Sequence, residues 1–364
     1  MTRVKRSRGI PLARRSLKSA DVAQAAGVSR ATVSYVLNDR RDVRVSDTTR
    51  KHVLEVARRL GYIGSPAARA LRSGRGDVVL LLVPDWDVSG QLAVLLEDIG
   101  SLVAQYGLVC LRYEGSLWQG SLDRILGRIP AACVVTLSPL GDNDAQALDS
   151  AAIPEVPAWL LDQPGHPHTT ALHQADIVQA QVDHLLQQGY HRLAYLAHEE
   201  PRALPFTEPR ITAFQDICRI HGILDAPYAI VSLDLDTIRH TLQTWTAQAG
   251  EPLGVVAWND VTALGIISAA TAMGINVPND LGVMGGDDTP VATLTRPTIS
   301  SVRFDLPAEA QVIANHIAGA IGSSTDPAAG KTAAVIVVPR QSTARTRLGW
   351  DRRNGVTDLA NTPS

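Results

Sequence analysis

The stretch SADVAQAAGVSRATVSYVLN, residues 19–38, predicts two short helices joined by a tight turn. Ser19 is suited to cap the first helix, because serine side chains accept hydrogen bonds from the free N–H groups of a first turn. Gly27 permits the positive φ that such a turn needs. Ser29 is a second capping residue, and Arg30–Leu37 repeats apolar residues at helical spacing. Two helices in this arrangement are typical of a helix-turn-helix unit.

A third helix and a concentration of positive charge surround this stretch. The helix is predicted to follow Ser46 and to end at Gly61, and it carries the apolar residues Val53, Leu54, Val56, Ala57 and Leu60. Residues 1–76 hold 18 Lys and Arg against five acidic residues, a net charge of +13, whereas the remaining 288 residues have a net charge of −15. A basic front segment on an acidic body favours binding to nucleic acid over the alternative of a solvated basic tail.

Composition limits the class of protein. The chain has 364 residues, of which 45% are hydrophobic and 19% charged, so it can bury more than one core. Val78–Val83 is the longest aliphatic run, far below the roughly 18 residues of a membrane helix. The basic segment Met1–Leu17 has no apolar stretch behind it, so no secretory signal is expected. Widely spaced cysteines predict neither a disulfide framework nor a zinc cluster and favour a cytoplasmic location: Cys110, Cys133 and Cys218.

From Asp77 onward, strand and helix patterns alternate. Strands are predicted at Val78–Val83, Leu108–Arg112, Ala132–Leu137, Trp159–Leu161, Leu193–Ala197, Ala229–Leu233, Gly254–Trp258 and Gly282–Met284. Helices are predicted at Gln91–Gln105, Leu122–Arg128, Ile177–Gln188, Arg210–His221, Thr237–Gln248 and Val261–Met273. This order predicts an α/β body with parallel, doubly wound sheets in two lobes, with a ligand cleft between the lobes.

The front segment resembles the DNA-binding head of the lactose-repressor (LacI/GalR-type) family of transcriptional regulators. The resemblance spans residues 18–76 and is carried by Asp21-Val22-Ala23, Ala26-Gly27-Val28-Ser29, Thr32-Val33-Ser34, Leu37-Asn38, Val45-Ser46 and Leu60-Gly61-Tyr62. It implies that the second helix lies in the major groove of an operator. The base-reading positions are then Arg30, Ala31 and Tyr35, and the backbone contacts come from Ser29, Thr32, Ser34 and Asn38. Packing at the helix edge is the alternative for Tyr35.

A short conditional helix is predicted after this head. Ser65 can cap it and Pro66 suits its first position, but the segment is too short to be stable alone. It resembles the hinge helix of the same family, which folds on the operator. The resemblance implies that Leu71 enters the minor groove, with Ala68 and Arg69 beside it. An inert linker is the alternative.

The body resembles the same family, whose two-lobed body is periplasmic-binding-protein-like. The matching motifs are Gly189-Tyr190-His191-Arg192, Trp258-Asn259-Asp260, Gly285-Gly286-Asp287-Asp288-Thr289 and Pro297-Thr298-Ile299. The resemblance implies an effector site formed by Arg210, Asn259 and Asp287, a set of donors and acceptors suited to a hydroxyl-rich ligand. Trp258 and Trp86 are candidate stacking residues, with a place in the core as the alternative. Asp260 is as well explained as a structural capping residue, and Asp288 is expected to be structural.

The chain departs from the family where the first lobe faces the ligand. Trp86-Asp87-Val88-Ser89-Gly90 replaces an Asn-Pro-Phe-Phe-like stretch, and Gly286 replaces an aromatic residue. These changes leave open whether the effector is a sugar. Other chemistries are weakly supported: Gly330-Lys331-Thr332 lacks a phosphate-loop context, and the histidines near His168 fit a solvated turn better than a metal site. No cofactor, metal or catalytic residue is predicted.

The predicted division of the chain follows from these segments. It comprises a basic extension at 1–17, a helix-turn-helix domain at 18–63, a hinge at 64–76, an effector-binding and dimerisation domain at 77–345 and a polar tail at 346–364. In this domain the N-lobe is predicted at about 77–172 and 304–333, and the C-lobe at about 173–300 and 334–340. The tail has no leucine heptads, so a homodimer is expected, paired with a pseudo-palindromic operator. The sequence thus predicts a repressor whose operator affinity is controlled by a small molecule, expected to be a sugar or a related metabolite; the alternative is a ligand-binding or sugar-processing enzyme with an accessory DNA-binding domain.

Overall fold

The chain divides after Asp77 into two compact units. The computed structural model describes residues 17–37, 40, 43–62, 76–88, 90–115, 119–161, 173–247, 250–323 and 335–345. Each unit has its own buried core. In the ranges described, no helix is long and apolar enough to cross a membrane.

The described part of the first unit contains three helices. Its helices are α1 Ser19–Ala26, α2 Arg30–Leu37 and α3 Asp47–Leu60. Each helix contributes a fully buried valine to one shared hydrophobic cluster: Val22, Val33 and Val53. Gly27 ends α1 with φ 65°, and Gly61 ends α3 with φ 68°, so both glycines occupy the left-handed region in which a Cβ atom is costly.

One local prediction in this unit needs correction. Ser19 is the first residue of α1 and not its cap, because the backbone N–H of Lys18 donates to the Asp21 carboxylate at 2.6 Å and closes the helix start one residue earlier. Leu54 is 48% exposed, because it lies between the buried positions Val53 and Val56 on the outer side of α3.

The first lobe of the second unit is built on a parallel sheet of four strands. Its strands are β1 Val78–Val83, β2 Val109–Glu114, β3 Ala131–Thr136 and β4 Glu155–Pro157, in the order β2-β1-β3-β4. Its helices are α4 Gly90–Gln105, α5 Leu122–Leu126 and α6 Asp142–Ala151. The central strands β1 and β3 are almost wholly buried, as their continuous apolar sequences require.

The second lobe repeats this architecture. Its strands are β5 Arg192–His198, β6 Tyr228–Val231, β7 Leu253–Ala257 and β8 Leu281–Met284, all parallel, in the order β6-β5-β7-β8. Its helices are α7 Gln174–Gln187, α8 Leu204–Ile220, α9 Leu235–Thr246, α10 Asp260–Ala272 and the short α11 Val291–Leu294, with a 3₁₀ turn at Pro201–Ala203 before α8. Two lobes with parallel strands and a helical front unit confirm the predicted fold class.

Two later strands join the lobes. The antiparallel pair β9 Ser301–Phe304 and β10 Val335–Val338 follows the strands of both lobes in sequence, and α12 Leu306–Ala320, between these two strands in sequence, packs on α4 of the first lobe. Beyond β10 the chain returns to the second lobe, where Val283 N–H donates to the Ser342 carbonyl at 3.0 Å. Buried residues of both lobes thus belong to one hydrophobic cluster.

The structure corrects one predicted strand and adds three helices, one of them the short helix Val291–Leu294. Trp159–Leu161 is not a strand; the edge strand is Glu155–Pro157, which pairs in parallel with Val134–Thr136 of β3. Asp142–Ala151 and Leu306–Ala320 are helices that the apolar pattern did not predict. The first is largely polar and exposed, and the second begins with Asp305 as its cap, where Ala308 N–H donates to Oδ1 at 3.3 Å.

Candidate functional site

The outer face of α2 presents most of the residues predicted to contact DNA. Ser29 caps the helix, since its Oγ accepts from the Thr32 N–H at 3.0 Å. Arg30 and Ala31 are exposed in the first turn, and Tyr35 is half-buried one turn beyond Ala31 on the same side of the helix. Ser34, next to Tyr35, is half-buried as well. The N-terminal turn of α2 therefore offers an arginine, a methyl group and hydroxyl groups to a ligand.

Packing favours an outward role for Tyr35. The aromatic residue that packs against the buried cluster of the three helices is Tyr62, whereas Tyr35 is not part of that cluster. Asn38 and the hinge residues Leu71, Ala68 and Arg69 lie outside the described residues.

A cavity of about 700 Å³, its opening included, lies in the second unit. Both lobes and the joining segment supply its lining: Asp87, Gln91, Leu92, Leu95, Leu160, Gln174, Ile177, Phe206, Arg210, Trp258, Asp287, Phe304 and Leu306. Three of the predicted effector residues, Arg210, Trp258 and Asp287, therefore meet in one cavity. Asn259 and Trp86 are not in its lining.

Arg210 is held in one orientation. It is 7% exposed on α8, and its Nε donates to Gln174 Oε1 at 2.8 Å. Its Nη1 donates to the Trp258 carbonyl at 3.2 Å, and its guanidinium lies 5.1 Å from the centre of the Trp258 ring. Two of its three nitrogens are thus occupied by the protein, which places the side chain without losing its charge.

Asp287 follows β8 in a left-handed conformation with φ 86°. Gln91 of the first lobe donates from Nε2 to the Asp287 carbonyl at 2.6 Å, so this loop is tied to the start of α4. Burial raises the pKa of the Asp287 carboxyl to about 6, and the nearby Arg210 partly opposes that increase. The carboxylate is therefore a strong acceptor for a donor that enters the cavity.

Asn259 and Asp260 serve the helix α10 and the loop around it. Asn259 is the cap of α10, and its Oδ1 accepts from the Thr262 N–H at 2.9 Å. Asp260 is 1% exposed and accepts from the Thr289 N–H at 2.6 Å and from Ser301 Oγ at 2.6 Å. The capping residue is thus Asn259, and the buried Asp260 links the second-lobe loop to β9.

Two other predicted residues act beside the cavity. Trp86 is 5% exposed, and its ring meets Phe206 edge to face with centroids 4.8 Å apart, so it supports a lining residue from behind. Asp288 pairs with Arg340 at 2.5 Å, which agrees with the expected structural role. The Nε1 atom of Trp258 is buried and has no hydrogen-bond partner among the described residues.

Sequence reasoning missed the glutamines of the site. Gln91 and Gln174 lie at the starts of α4 and α7. Gln91 was the first residue of a predicted helix but was given no functional role, and Gln174 precedes the predicted start of its helix. A detectable signal was available, because the first turns of helices at the ligand edge of a doubly wound sheet face the cleft. No group of His, Cys, Asp or Glu that could hold a metal ion is found within the described ranges.

Comparison with known proteins gives consistent results for both units. The family model "Bacterial regulatory proteins, lacI family" matches residues 19–65, and "Periplasmic binding protein-like domain" matches residues 182–343. The HTH-type transcriptional regulator GntR of Pseudomonas aeruginosa is 30% identical over 292 residues, covering 78% of this chain and 83% of its own. The chain belongs to the LacI family of bacterial regulators.

Other relatives agree with this assignment. Catabolite control protein A of Priestia megaterium is 27% identical over 292 residues, covering 78% of this chain and 86% of its own. The solved lac repressor dimer, bound to operator and the anti-inducer ONPF, has a TM-score of 0.71 at 22% identity, covering 91% of this chain and 100% of its own, and it supports the fold. This LacI-family chain is a DNA-binding transcriptional regulator whose body binds a small-molecule effector.

Proposed function

We propose that this LacI-family regulator is a homodimeric repressor that binds or releases a pseudo-palindromic operator, depending on the ligand in its cavity. The observation that carries the proposal is the cavity shared by Arg210, Trp258 and Asp287, in a chain whose front unit exposes the first turn of α2. The ligand would alter the relative position of the lobes, and with it the hinge segments of the two subunits.

DNA recognition is assigned to α2. Arg30 can donate two hydrogen bonds to a guanine, Ala31 can contact a thymine methyl group, and Tyr35 can do either. Ser29, Thr32, Ser34 and Asn38 are proposed to contact phosphates, which sets the register of the helix. From the family resemblance, Leu71 is proposed to enter the minor groove beside Ala68 and Arg69.

Effector recognition is assigned to Arg210, Trp258 and Asp287. Asn259 is proposed to contribute through its amide nitrogen, because its Oδ1 is engaged in capping α10. Trp86 is proposed to act through Phe206 and not by direct contact. A hydroxyl-bearing metabolite, a sugar or a compound related to one, fits a site that combines a guanidinium, a carboxylate and an aromatic ring.

Assembly and location follow from the target. The solved lac repressor is a dimer bound to operator, and a twofold pair of heads matches a pseudo-palindromic site. Because its target is chromosomal DNA, we place the protein in the cytoplasm. We propose no catalytic step, since the cavity residues Arg210 and Asp287 supply no nucleophile with an adjacent base.

The proposal is tested with the purified full-length protein at physiological salt. Duplexes are selected from a random library, and the affinity for the winning sequence is measured against random competitor with and without a library of metabolites. We expect a pseudo-palindromic winner and at least one metabolite that changes the affinity. Absence of any preferred duplex would contradict DNA-controlled regulation, and turnover of a bound metabolite would favour the enzyme alternative.

A further inference from the structure

The cavity lining is divided between polar and apolar residues in a regular way. Three helices each supply one polar and one apolar residue about one turn apart: Gln91 and Leu95 on α4, Gln174 and Ile177 on α7, and Arg210 and Phe206 on α8. Residues three or four positions apart lie on the same face of a helix. Each helix therefore presents one polar and one apolar side chain to the same cavity.

The apolar part of the lining cannot satisfy hydroxyl groups. Outside those helical pairs it consists of the Trp258 ring and of Leu92, Leu160, Phe304 and Leu306. A hydroxyl group pressed against such side chains loses its water without gaining a partner, which is unfavourable. A free hexose carries hydroxyl groups around its entire ring, so some of them would meet this surface.

The polar part of the lining has an excess of negative charge. Its ionisable members are the carboxyl groups of Asp87 and Asp287 and the guanidinium of Arg210. Arg210 already donates from Nε to Gln174 and from Nη1 to the Trp258 carbonyl, so Nη2 and the second N–H of Nη1 are left for a ligand. Asp287 has no side-chain hydrogen bond or ion pair assigned to it in the described part of the chain, and the buried Nε1 of Trp258 has no partner there either. An anionic ligand would meet two carboxyl groups and only one partly occupied cation.

We propose that the effector is a neutral amphipathic metabolite, with hydroxyl groups along one edge for Arg210 and Asp287 and an apolar ring or chain against the leucines and phenylalanines. A glycoside with an aryl group and a nucleoside share this chemistry. The inference rests on the proposed function and deepens it by excluding free hexoses, sugar phosphates and sugar acids as the main effector.

Matched probes test the ligand class. Binding of methyl and phenyl β-D-glucopyranosides, methyl and phenyl β-D-galactopyranosides, uridine, adenosine, glucose, glucose 6-phosphate and gluconate is measured by calorimetry, and their effect on operator affinity is measured in parallel. We expect at least one phenyl glycoside or nucleoside to bind, and a binding phenyl glycoside to exceed its methyl partner at least tenfold. Nucleosides binding alone would support the same chemistry and identify the source.

A variant pair locates the apolar contact. Leu92→Ser replaces a half-buried lining residue, and Val94→Ser replaces a 44% exposed residue of the same helix that is outside the lining. We expect Leu92→Ser to reduce the affinity for the tightest amphipathic probe at least threefold, and Val94→Ser to leave it unchanged.

The outcomes separate this inference from the proposed function. Tighter binding of glucose, glucose 6-phosphate or gluconate than of every amphipathic probe would overturn the inference; if that ligand also changed operator affinity, the proposed function would stand. If no probe binds although the operator is bound specifically, the inferred ligand class is wrong. If the larger metabolite library also leaves operator affinity unchanged, effector control fails with it.

Discussion

Arg210 illustrates how single side chains create the site. Its position on α8 was implied by family resemblance, but the contacts that orient it, to Gln174 and to the Trp258 carbonyl, come from two other elements. A buried arginine with two of three nitrogens engaged offers a directed hydrogen bond at a low cost in ordering, because the side chain is already ordered.

Loss of this cation should abolish the response to effector while DNA binding is retained. We choose Arg210→Met because it keeps most of the side-chain volume in a buried place. Operator affinity without ligand is expected to stay within about twofold, since the substitution lies in the second unit. Operator titrations with and without the effector, supported by a melting curve, measure both properties. A normal effector response would remove Arg210 from the site.

At the DNA surface, Arg30 carries the sharpest prediction. Arg30→Ala should weaken operator binding by about 1–3 kcal/mol and relax base preference at one position in each half-site, because a bidentate contact to guanine is lost. Binding to a panel of single-base operator variants measures the change. Arg59→Ala removes an exposed arginine from the last turn of α3 and serves as the charge-matched control. Equal loss across all variants would make Arg30 a phosphate contact.

The raised pKa of Asp287 predicts that ligand binding depends on pH. Its pKa is raised from 3.8 to about 6, so the folded chain holds this proton more tightly than the unfolded chain. Ionisation of Asp287 therefore lowers the stability of the folded chain progressively as pH rises from about 4 to about 6, with no further change above that range. A ligand hydroxyl group prefers the ionised carboxylate, so affinity should rise with pH through about 6 and then level off.

Asp287→Asn is the matched test of this pH dependence, because asparagine keeps the shape and tolerates the positive φ. Calorimetric titrations at pH 5 and pH 7.5 should differ for the natural chain and agree for the variant. Arg210, Asp260 and the lining residue Asp87 are the other charged groups near this carboxyl. A persistent difference in Asp287→Asn would assign the titration to another group.

At the scale of elements, close packing of strand β8 depends on a glycine. A Cβ atom added to Gly282 would lie 2.3 Å from the Tyr190 ring, which is fully buried and whose hydroxyl group donates to the Pro278 carbonyl at 2.6 Å. The ring cannot move without breaking that bond or displacing the strand. The Tyr190 ring therefore packs directly on the backbone of β8 at Gly282, which has no side chain.

Gly282→Ala should lower the free energy of unfolding of the second unit by about 2 kcal/mol or more, as overpacking does. Gly319→Ala is the control, because a Cβ there meets nothing within 4 Å and alanine favours helix α12. Chemical denaturation followed by tryptophan fluorescence compares the two. The same stability for both variants would mean that the Tyr190 ring adapts without cost.

Helices and strands whose signal lies in a short, continuous stretch of residues were predicted well from the sequence alone. Continuous apolar strands such as Val78–Val83, and capped helices such as Arg30–Leu37, have the observed limits. The three-residue strand at Glu155–Pro157 and the polar helix at Asp142–Ala151 were not found, because their apolar pattern is too short or too weak. At the site, Arg210 and Asp287 were named by resemblance. The apolar lining was not, since residues as distant as Leu92 and Leu306 become neighbours only through the tertiary fold.

At the scale of the whole molecule, the division of charge separates two tasks. The basic front segment attracts the phosphate backbone, and the acidic remainder avoids nonspecific attachment to it. Coupling between the tasks is a free energy that acts equally in both directions. The effector and the operator must therefore change each other's affinity by the same factor.

This reciprocity is measured by titrating effector into the protein with and without operator duplex, and operator into the protein with and without effector. We expect equal factors, between about 5 and 150, as is common for coupled sites. A duplex of scrambled sequence is the control and should leave effector affinity nearly unchanged. A factor of one in both directions would contradict allosteric control.

The return of the chain to the second lobe after β10 has a consequence for synthesis of the protein on the ribosome. Ser342 closes the second lobe by accepting from the Val283 N–H, and its own N–H donates to the Thr298 carbonyl at 2.9 Å. These partners are separated by more than forty residues that pass through the opposite lobe. The nascent body therefore stays incompletely packed until translation has passed Ser342, whereas the hydrophobic cluster of the three front helices is formed, among the described residues, by positions no later than Tyr62.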